Sequence, residues 1–374
     1  MSLIKQYLNN QTIEELSHLG LSTKYKDGLT HIRYDKSRAD MSNKMIKECR
    51  GLIYDNNSKN IVSTSLNSKY TLEDFISNVK WEDCVIEESV DGTLINLFYH
   101  NDIWQVSTKC TFDGDCKWNS EQTFKELFWE TASYVKLNLN LLNTRFCYSF
   151  VLCHPKCRNI TLYENPKLIH ISSRNMDTFI ESDEDIGIEK PNIIKIDNYN
   201  TIGCVHYNEL FVLLDRLDYT KEGFMLYSKN REFRTKLLGK EHLKVKNIKG
   251  TYPIIEWKLV EMRNNPVILK QFLEYFPEYN DPFNGLVDTI NNLGILILQY
   301  YTIIKKKKQY LELPSILKKV IYDLHAEYLK LMDKYDPLKH SYKPNITLQK
   351  INHWLNNMDS KQLCKLLDWY KTIE

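Results

Sequence analysis

Apolar positions change their rhythm along this chain of 374 residues. Between residues 81 and 250 they come in short β-rich runs divided by turn-forming residues. Residues 93–99 form one such run, Asn101-Asp102 supplies a turn, and 103–107 runs back, which predicts a β-hairpin. Residues 146–152, 159–163 and 168–172 repeat the texture, and 224–227 with 232–235 predict another hairpin across Ser228-Lys229-Asn230-Arg231. Earlier, 51–54 and 60–64 flank the tetrad Asp55-Asn56-Asn57-Ser58 and predict a third. Helices are expected at 120–137 and 207–214. After Pro266 the rhythm turns helical, with segments at 267–275, 283–305, 315–335 and 348–370. In the segment 315–335, Leu317, Ile321, Leu324, Tyr328 and Leu331 recur at spacings of three and four and form one apolar stripe. Asp359 or Ser360 is expected to cap the last helix. The expected fold class is α+β: a first domain, 1–262, of largely antiparallel sheets with inserted helices, and an all-α domain, 263–374.

Composition narrows the classes. At 43% hydrophobic the chain can fill packed cores, which excludes a disordered protein. Lys and Arg number 50 against 48 Asp and Glu, so bulk charge announces no nucleic-acid partner, and any phosphate contact must come from placed residues. The nine cysteines are scattered, the start lacks the apolar core of a signal peptide, and the greasiest stretch, 293–304, is interrupted by Gln299 and too short to span a bilayer. A reducing, cytoplasmic setting with free thiols is expected. Abundant Asn, Lys, Ile and Tyr fit an AT-rich coding genome, so for a viral chain the setting is the host cytoplasm.

Candidate chemistry lies at strand ends. Asp91-Gly92 sits between two expected strands, and Glu222-Gly223 directly precedes one. Lys244-Val245-Lys246 alternates, which on a strand puts both lysines on one face, a suitable partner for a polyphosphate. Each piece has a plain reading too: Asp-Gly is commonly a turn, and Lys-x-Lys a solvated face. Cys153-His154-Pro155-Lys156-Cys157, with Cys147 nearby, fits no common zinc spacing, so buried thiols are expected there. The lysines at 305–308 suit a solvated helix end.

Taken together and in order, these segments resemble the RNA ligase family, in particular the phage-type tRNA-repair ligases and their relatives in large DNA viruses. Ser89-Val90-Asp91-Gly92 is similar to the family's Lys-x-Asp-Gly signature, with Ser89 in the place of the lysine that carries the nucleotide. Glu48-Cys49-Arg50-Gly51-Leu52-Ile53-Tyr54 resembles the segment ahead of it, whose arginine meets the nucleotide's phosphates. Lys69 and Lys109 fall on the two further family lysines, Ser149 on the glutamate that meets the sugar, and Arg158 on a downstream arginine. Glu222-Gly223 and Lys244-Val245-Lys246 resemble the last two motifs. The resemblance covers roughly residues 45 to 250.

The resemblance implies a nucleotidyltransferase domain enclosing a nucleotide cleft, with ATP and Mg2+ as cofactors and RNA, tRNA among the candidates, as partner. It assigns catalysis to Ser89, Asp91, Lys244 and Lys246, nucleotide binding to Arg50, Lys69, Gly92, Lys109, Ser149, Glu222 and Gly223, and the metal to Glu222. The implied activity is ATP-dependent joining of RNA 5′-phosphate and 3′-hydroxyl ends through adenylylated intermediates. A DNA ligase or capping enzyme is disfavoured, because those usually continue into a β-barrel and this chain turns helical. Serine at position 89 leaves three readings. A displaced lysine (Lys69, Lys80, Lys109 or Lys221) takes the nucleotide; or the protein seals only RNA already adenylylated; or it is a degenerate relative that binds RNA or nucleotide without catalysis. Serine itself is a weak nucleophile that needs a base, for which Glu87 and Glu88 are the neighbouring carboxylates. The sequence specifies no membrane association and no oligomeric state.

Overall fold

The computed structural model describes residues 2–194, 207–306, 313–336 and 343–373. Two compact units result, Met1–Asn247 and Ile248–Glu374. This division lies ahead of the 262/263 boundary expected from sequence.

The first unit opens with α1 (Leu3–Asn10), followed by β1 (Leu21–Lys26), β2 (Leu29–Tyr34), α2 (Lys44–Glu48), β3 (Arg50–Asp55) and β4 (Asn60–Ser63). Then come α3 (Leu72–Asn78), β5 (Cys84–Ser89), β6 (Thr93–His100), β7 (Ile103–Ser107), α4 (Phe124–Tyr134), β8 (Phe146–Cys153), β9 (Lys167–Asn175), β10 (Glu181–Ser182) and β11 (Ile193–Ile194). It closes with α5 (Tyr207–Leu214), β12 (Gly223–Ser228), β13 (Arg234–Leu238) and α6 (Lys240–Lys249). The strands form three antiparallel sheets, ordered β1-β2-β3-β4, β10-β9-β8-β6-β7 and β11-β5-β12-β13. All three expected hairpins are present. At the β6–β7 turn Asn101 and Asp102 both take positive φ (51° and 61°), the conformation a tight hairpin requires and one that Asn and Asp tolerate.

Strand alternation sorts the side chains. On one face of the five-stranded sheet, Ile95, Leu97, Tyr148, Phe150 and Leu152 pack against Leu127 and Phe128 of α4, all buried. That helix starts from a capping box between Thr123 and Glu126, which satisfies its first free amide groups. The sheet containing β5 packs Ile86, Phe224, Leu226 and Leu237 on Phe75 of α3 and on Leu210 and Leu214 of α5. Each such side chain contributes about 1.5–3 kcal/mol on burial. The opposite face of the five-stranded sheet carries a smaller apolar cluster, Leu66, Val151, Cys153, Ile169 and Ile171, with Val90 and Leu94 against it. The cavity described below opens there.

The second unit contains α7 (Ile255–Met262), α8 (Pro266–Tyr275), α9 (Asn280–Tyr301), α10 (Ser315–Asp333), α11 (Leu348–Asn356) and α12 (Ser360–Tyr370). The early boundary has a simple cause: α7 packs on α9 and α12. No helix among the described residues is long and apolar enough to cross a membrane.

Four sequence expectations change. Residues 159–163 are not a strand, because their amide groups are held by Asp91 instead of a neighbouring strand. Residues 348–370 are two helices, with the Asp359 side chain accepting from the amides of Lys361 and Gln362 to start the second. The stripe of α10 is buried at Leu317, Val320, Ile321 and Leu324, whereas Leu331 is exposed. Residues 240–249, expected to hold a short strand, are the helix α6. Buried His242, Val245 and Lys249 recur at spacings of three and four, the period of a helix. The lysine run at 305–308 continues outside the described residues.

Candidate functional site

Between the sheets lies a cavity lined by side chains from distant segments. Arg50 comes from β3, Glu87 and Ser89 from β5, Arg234 and Lys236 from β13, and Lys69 and Glu222 from flanking segments; Gly92, Leu94, Val151, Ile171, Met225 and Tyr227 complete much of the wall. β12 pairs with β5 on one side and β13 on the other, with Gly223 opposite both Ser89 and Leu238. This register brings together residues more than 130 positions apart.

Glu222 organises the polar wall. It is buried, accepts a hydrogen bond from Ser89 Oγ at 2.8 Å, and forms an ion pair with Lys236. Burial raises its pKa, but Lys236 and the Ser89 hydrogen bond outweigh this and hold the carboxyl below its ordinary value. The lysine responds in the opposite sense. Burial lowers Lys236, Glu222 opposes, and Lys246 adds repulsion, leaving its amine below the usual range. The carboxylate beside Ser89 is therefore Glu222. Glu87 also lines the cavity, but it pairs with Arg231 at 3.1 Å, while Glu88 accepts from Asn192 at 2.7 Å.

The remaining cations differ in their partners. Arg234 is buried and bonds Glu181 through Nη2, at 2.6 Å to each oxygen, while its Nε and Nη1 have no hydrogen-bond partner among the described residues. Glu181 also pairs with Arg174. Arg50 has no carboxylate partner among the described residues and stands close enough to Arg234 for the two to repel. Lys69 is also without one. Burial lowers its amine to about 8, with Lys236 and Arg50 adding repulsion that Glu222 only partly offsets. A wall rich in cations with unused donors is suited to an anion bearing several charges.

The Lys244-Val245-Lys246 reading fails on geometry. On a helix, residues two apart do not share a face. Lys244 pairs with Glu241 on the same helix at 3.4 Å, and neither Lys244 nor Lys246 lines the cavity. Lys246 still lies near enough to act electrostatically on Lys69, Glu222 and Lys236. The strand cations are instead Arg234 and Lys236, two apart on β13 and both at the wall. The signal was available: an Arg-x-Lys alternation in the return arm of the hairpin that follows Glu222-Gly223.

Asp91 lies outside the cavity lining and acts as a latch. Its carboxylate accepts from the amides of Ile160 and Thr161, each at 2.8 Å, and its carbonyl accepts from the Tyr163 hydroxyl at 2.9 Å. Arg158 braces the same loop, donating from Nε to the Ile160 carbonyl at 2.9 Å. Asp91 also belongs to the group of three possible metal donors found among the described residues, with Glu222 and His242; one ligand atom from each lies within 4.8 Å of the others, and all three residues are buried. His242 escaped the sequence reading. Its Nδ1 meets the Tyr219 carbonyl at 2.9 Å, and its buried Nε2 has no hydrogen-bond partner among the described residues. An imidazole oriented by a carbonyl, with an orphaned nitrogen beside two carboxylates, fits a divalent cation.

Other expected residues have protein partners. Ser149 is buried and donates to Asn96 Oδ1 at 3.0 Å, outside the cavity lining. Lys109 places its amine over the Tyr34 ring at 4.7 Å, and its backbone lies against Gly51. A Cβ on Gly92 would meet Val151 and Leu152, so the lack of a side chain here lets β8 pack close. Gly223 has φ +135°, a Cβ there would clash with the Leu237 carbonyl, and the residue is not part of the cavity lining. Cys153 and Cys157 are buried thiols, as expected.

No protein-family model matches the chain. Among curated proteins it is similar to an RNA ligase of Rhodothermus phage RM378, 28% identical over 202 residues that cover 44% of this chain and 46% of that protein. A protein assigned as a bifunctional polynucleotide kinase/RNA ligase of Autographa californica nuclear polyhedrosis virus is 23% identical over 90% of this chain and 53% of its own length. An immediate-early protein ICP-46 homolog of Invertebrate iridescent virus 3 is 26% identical over 63% of this chain and 52% of its own. The chain thus spans about half the length of the curated relatives it matches. The phage and baculovirus relatives carry RNA ligase in their names, in line with the resemblance drawn from the motifs. Among solved structures, a Naegleria gruberi RNA ligase variant with ATP and manganese is 12% identical over 48% of this chain and 57% of that one, at a TM-score of 0.37, too low to bear on the site.

Proposed function

We propose that this chain joins RNA 5′-phosphate and 3′-hydroxyl ends through adenylylated intermediates, drawing the adenylyl group from ATP. The observation that carries the reading is the convergence of Arg50, Lys69, Arg234 and Lys236 with Ser89 and Glu222 on one cavity. The phosphates of ATP match that wall. Among the described residues, no group uses Arg234 Nε and Nη1, and Arg50 adds a guanidinium with no carboxylate partner. Phosphoryl and nucleotidyl transfer depend mainly on positioning and charge neutralisation, which fixed cations supply without reorganisation. The names of the phage and baculovirus relatives support RNA as the partner.

Asp91, Glu222 and His242 are the residues that would hold a divalent cation. The ion supplies charge neutralisation for the polyphosphate. Magnesium, the ion expected from sequence, takes oxygen ligands, whereas an imidazole in the set favours manganese or zinc. Glu222 meanwhile holds the Ser89 hydroxyl and the Lys236 amine at the cavity wall.

The reading is tested with an RNA that already carries a 5′-adenylate, offered with a second RNA ending in a 3′-hydroxyl and with Mg2+ or Mn2+. Formation of the joined RNA supports it. If no joined product forms and ATP leaves no adenylyl group on the protein, the chain is a binding relative and the ligase reading is lost.

A further inference from the structure

We propose that Lys69 has taken over as the acceptor of the adenylyl group, in place of the lysine that Ser89 replaces. The proposal rests on the ligase reading and names the nucleophile of that same site. It begins from elimination within the cavity. A nucleophilic amine must reach the nucleotide and keep its lone pair. Among the described residues the lysines that line the cavity are Lys69 and Lys236. Lys236 is held in an ion pair by Glu222, which occupies its amine. Lys69 has no carboxylate partner among the described residues, stands among Lys236 and Arg50, and remains accessible. Its amine, lowered to about 8 by burial and these cations, is partly neutral near physiological pH. The other displaced lysines are set aside by position. Lys109 rests on Tyr34, and Lys80 and Lys221 are exposed and absent from the wall.

Ser89 is the rival. Its hydroxyl donates to one oxygen of Glu222 while Lys236 holds the other, so the carboxylate is already engaged on both sides. A phosphate ester on serine would also be a stable end product, whereas an N–P bond passes its AMP on once nitrogen is protonated. The step balances as follows. The neutral Lys69 amine attacks the α-phosphorus of ATP, the N–P bond forms, and the bond to the β-phosphate oxygen breaks with its electron pair leaving on pyrophosphate. The nitrogen releases one proton to solvent. An RNA 5′-phosphate oxygen then attacks the same phosphorus, the N–P pair returns to nitrogen, and nitrogen regains a proton.

The test uses the full chain incubated with ATP and Mn2+, then denatured and mapped by peptide mass spectrometry. The expected result is one AMP on the peptide containing Lys69, in a linkage lost in acid and stable in alkali. Lys69→Arg, which keeps the charge but cannot hold the adduct, should lose it to background while melting like the parent. The mapping is made on the unaltered protein, so a variant that misfolds leaves the proposal testable. An acid-stable adduct on Ser89, or one on another lysine, overturns the proposal and leaves the ligase reading standing. No adduct, with joining of pre-adenylylated RNA, also overturns Lys69 alone. Neither adduct nor joining removes both.

Discussion

Two neighbouring segments, Arg234-Thr235-Lys236 and Lys244-Val245-Lys246, carry the same pattern of basic residues two apart, and the fold uses them differently. On β13 the pattern becomes one face, and both cations reach the cavity. On α6 it becomes two faces, with Lys244 paired to Glu241 away from the cavity and Lys246 acting on it only at a distance. A motif's meaning therefore depends on the element that displays it. The buried residue between the basic pair gives no help, because Thr235 and Val245 are both buried. What separates the two is the wider rhythm: 242, 245 and 249 keep a helical period, whereas β13 is paired along its length with β12.

The comparison breaks most visibly at Arg234. Arg234→Met removes a buried guanidinium from Glu181 and should cost about 3–5 kcal/mol, read as a lowered urea midpoint, because the carboxylate keeps only Arg174. A melting curve like the parent's would show that Arg234 is not the anchor its burial implies. Lys236→Met tests the cavity itself. ATP affinity should fall roughly 10- to 100-fold by calorimetry, about 1.4–2.8 kcal/mol, with Lys244→Met as the contrast on α6. Equal losses from the two would erase the distinction between strand and helix.

Within α6 the contrast is sharpened at His242, the one residue of that helix in the donor group. His242→Ala should weaken Mn2+ binding to the protein by about 10- to 100-fold in equilibrium dialysis. An unchanged isotherm would assign the orphaned nitrogen to mere packing.

Acid offers a graded attack on the β13 side. Burial alone would raise Glu181, but Arg234 and Arg174 overcome it and bring the carboxyl to about 2. A depressed carboxylate stabilises the fold above its unfolded pKa, and that contribution is lost as pH falls through the folded value. Stability should therefore decline between about pH 4.5 and pH 2, and Glu181→Gln should flatten this part of the curve measured by chemical denaturation. The smallest effect belongs to Lys244→Met, whose exposed pair with Glu241 contributes about 0–1 kcal/mol; its melting temperature should match the parent's within error.

Much of the fold was legible because alternation and turn chemistry agree over β3–β4, β6–β7 and β12–β13. Reading failed where partners lie far away in sequence. Nothing local reveals that Asp91 takes the amides of 160 and 161 and so prevents a strand there. The site was half legible. Arg50, Lys69, Ser89, Gly92 and Glu222 do meet at one cavity. His242 stayed hidden because a single histidine on a helix carries no signal until the Tyr219 carbonyl and two carboxylates surround it. Ser149 fell where its motif pointed but turned to Asn96, a pairing that depends on the register between β6 and β8.

Glu222 serves three neighbours with two oxygens: the Ser89 hydroxyl, the Lys236 amine and the donor group around His242. Such sharing creates thermodynamic linkage. A nucleotide whose phosphates compete with Glu222 for the Lys236 amine would leave more of the carboxylate's charge for a cation. By reciprocity each ligand would then raise the other's affinity by the same factor, so this carboxylate would couple metal to nucleotide.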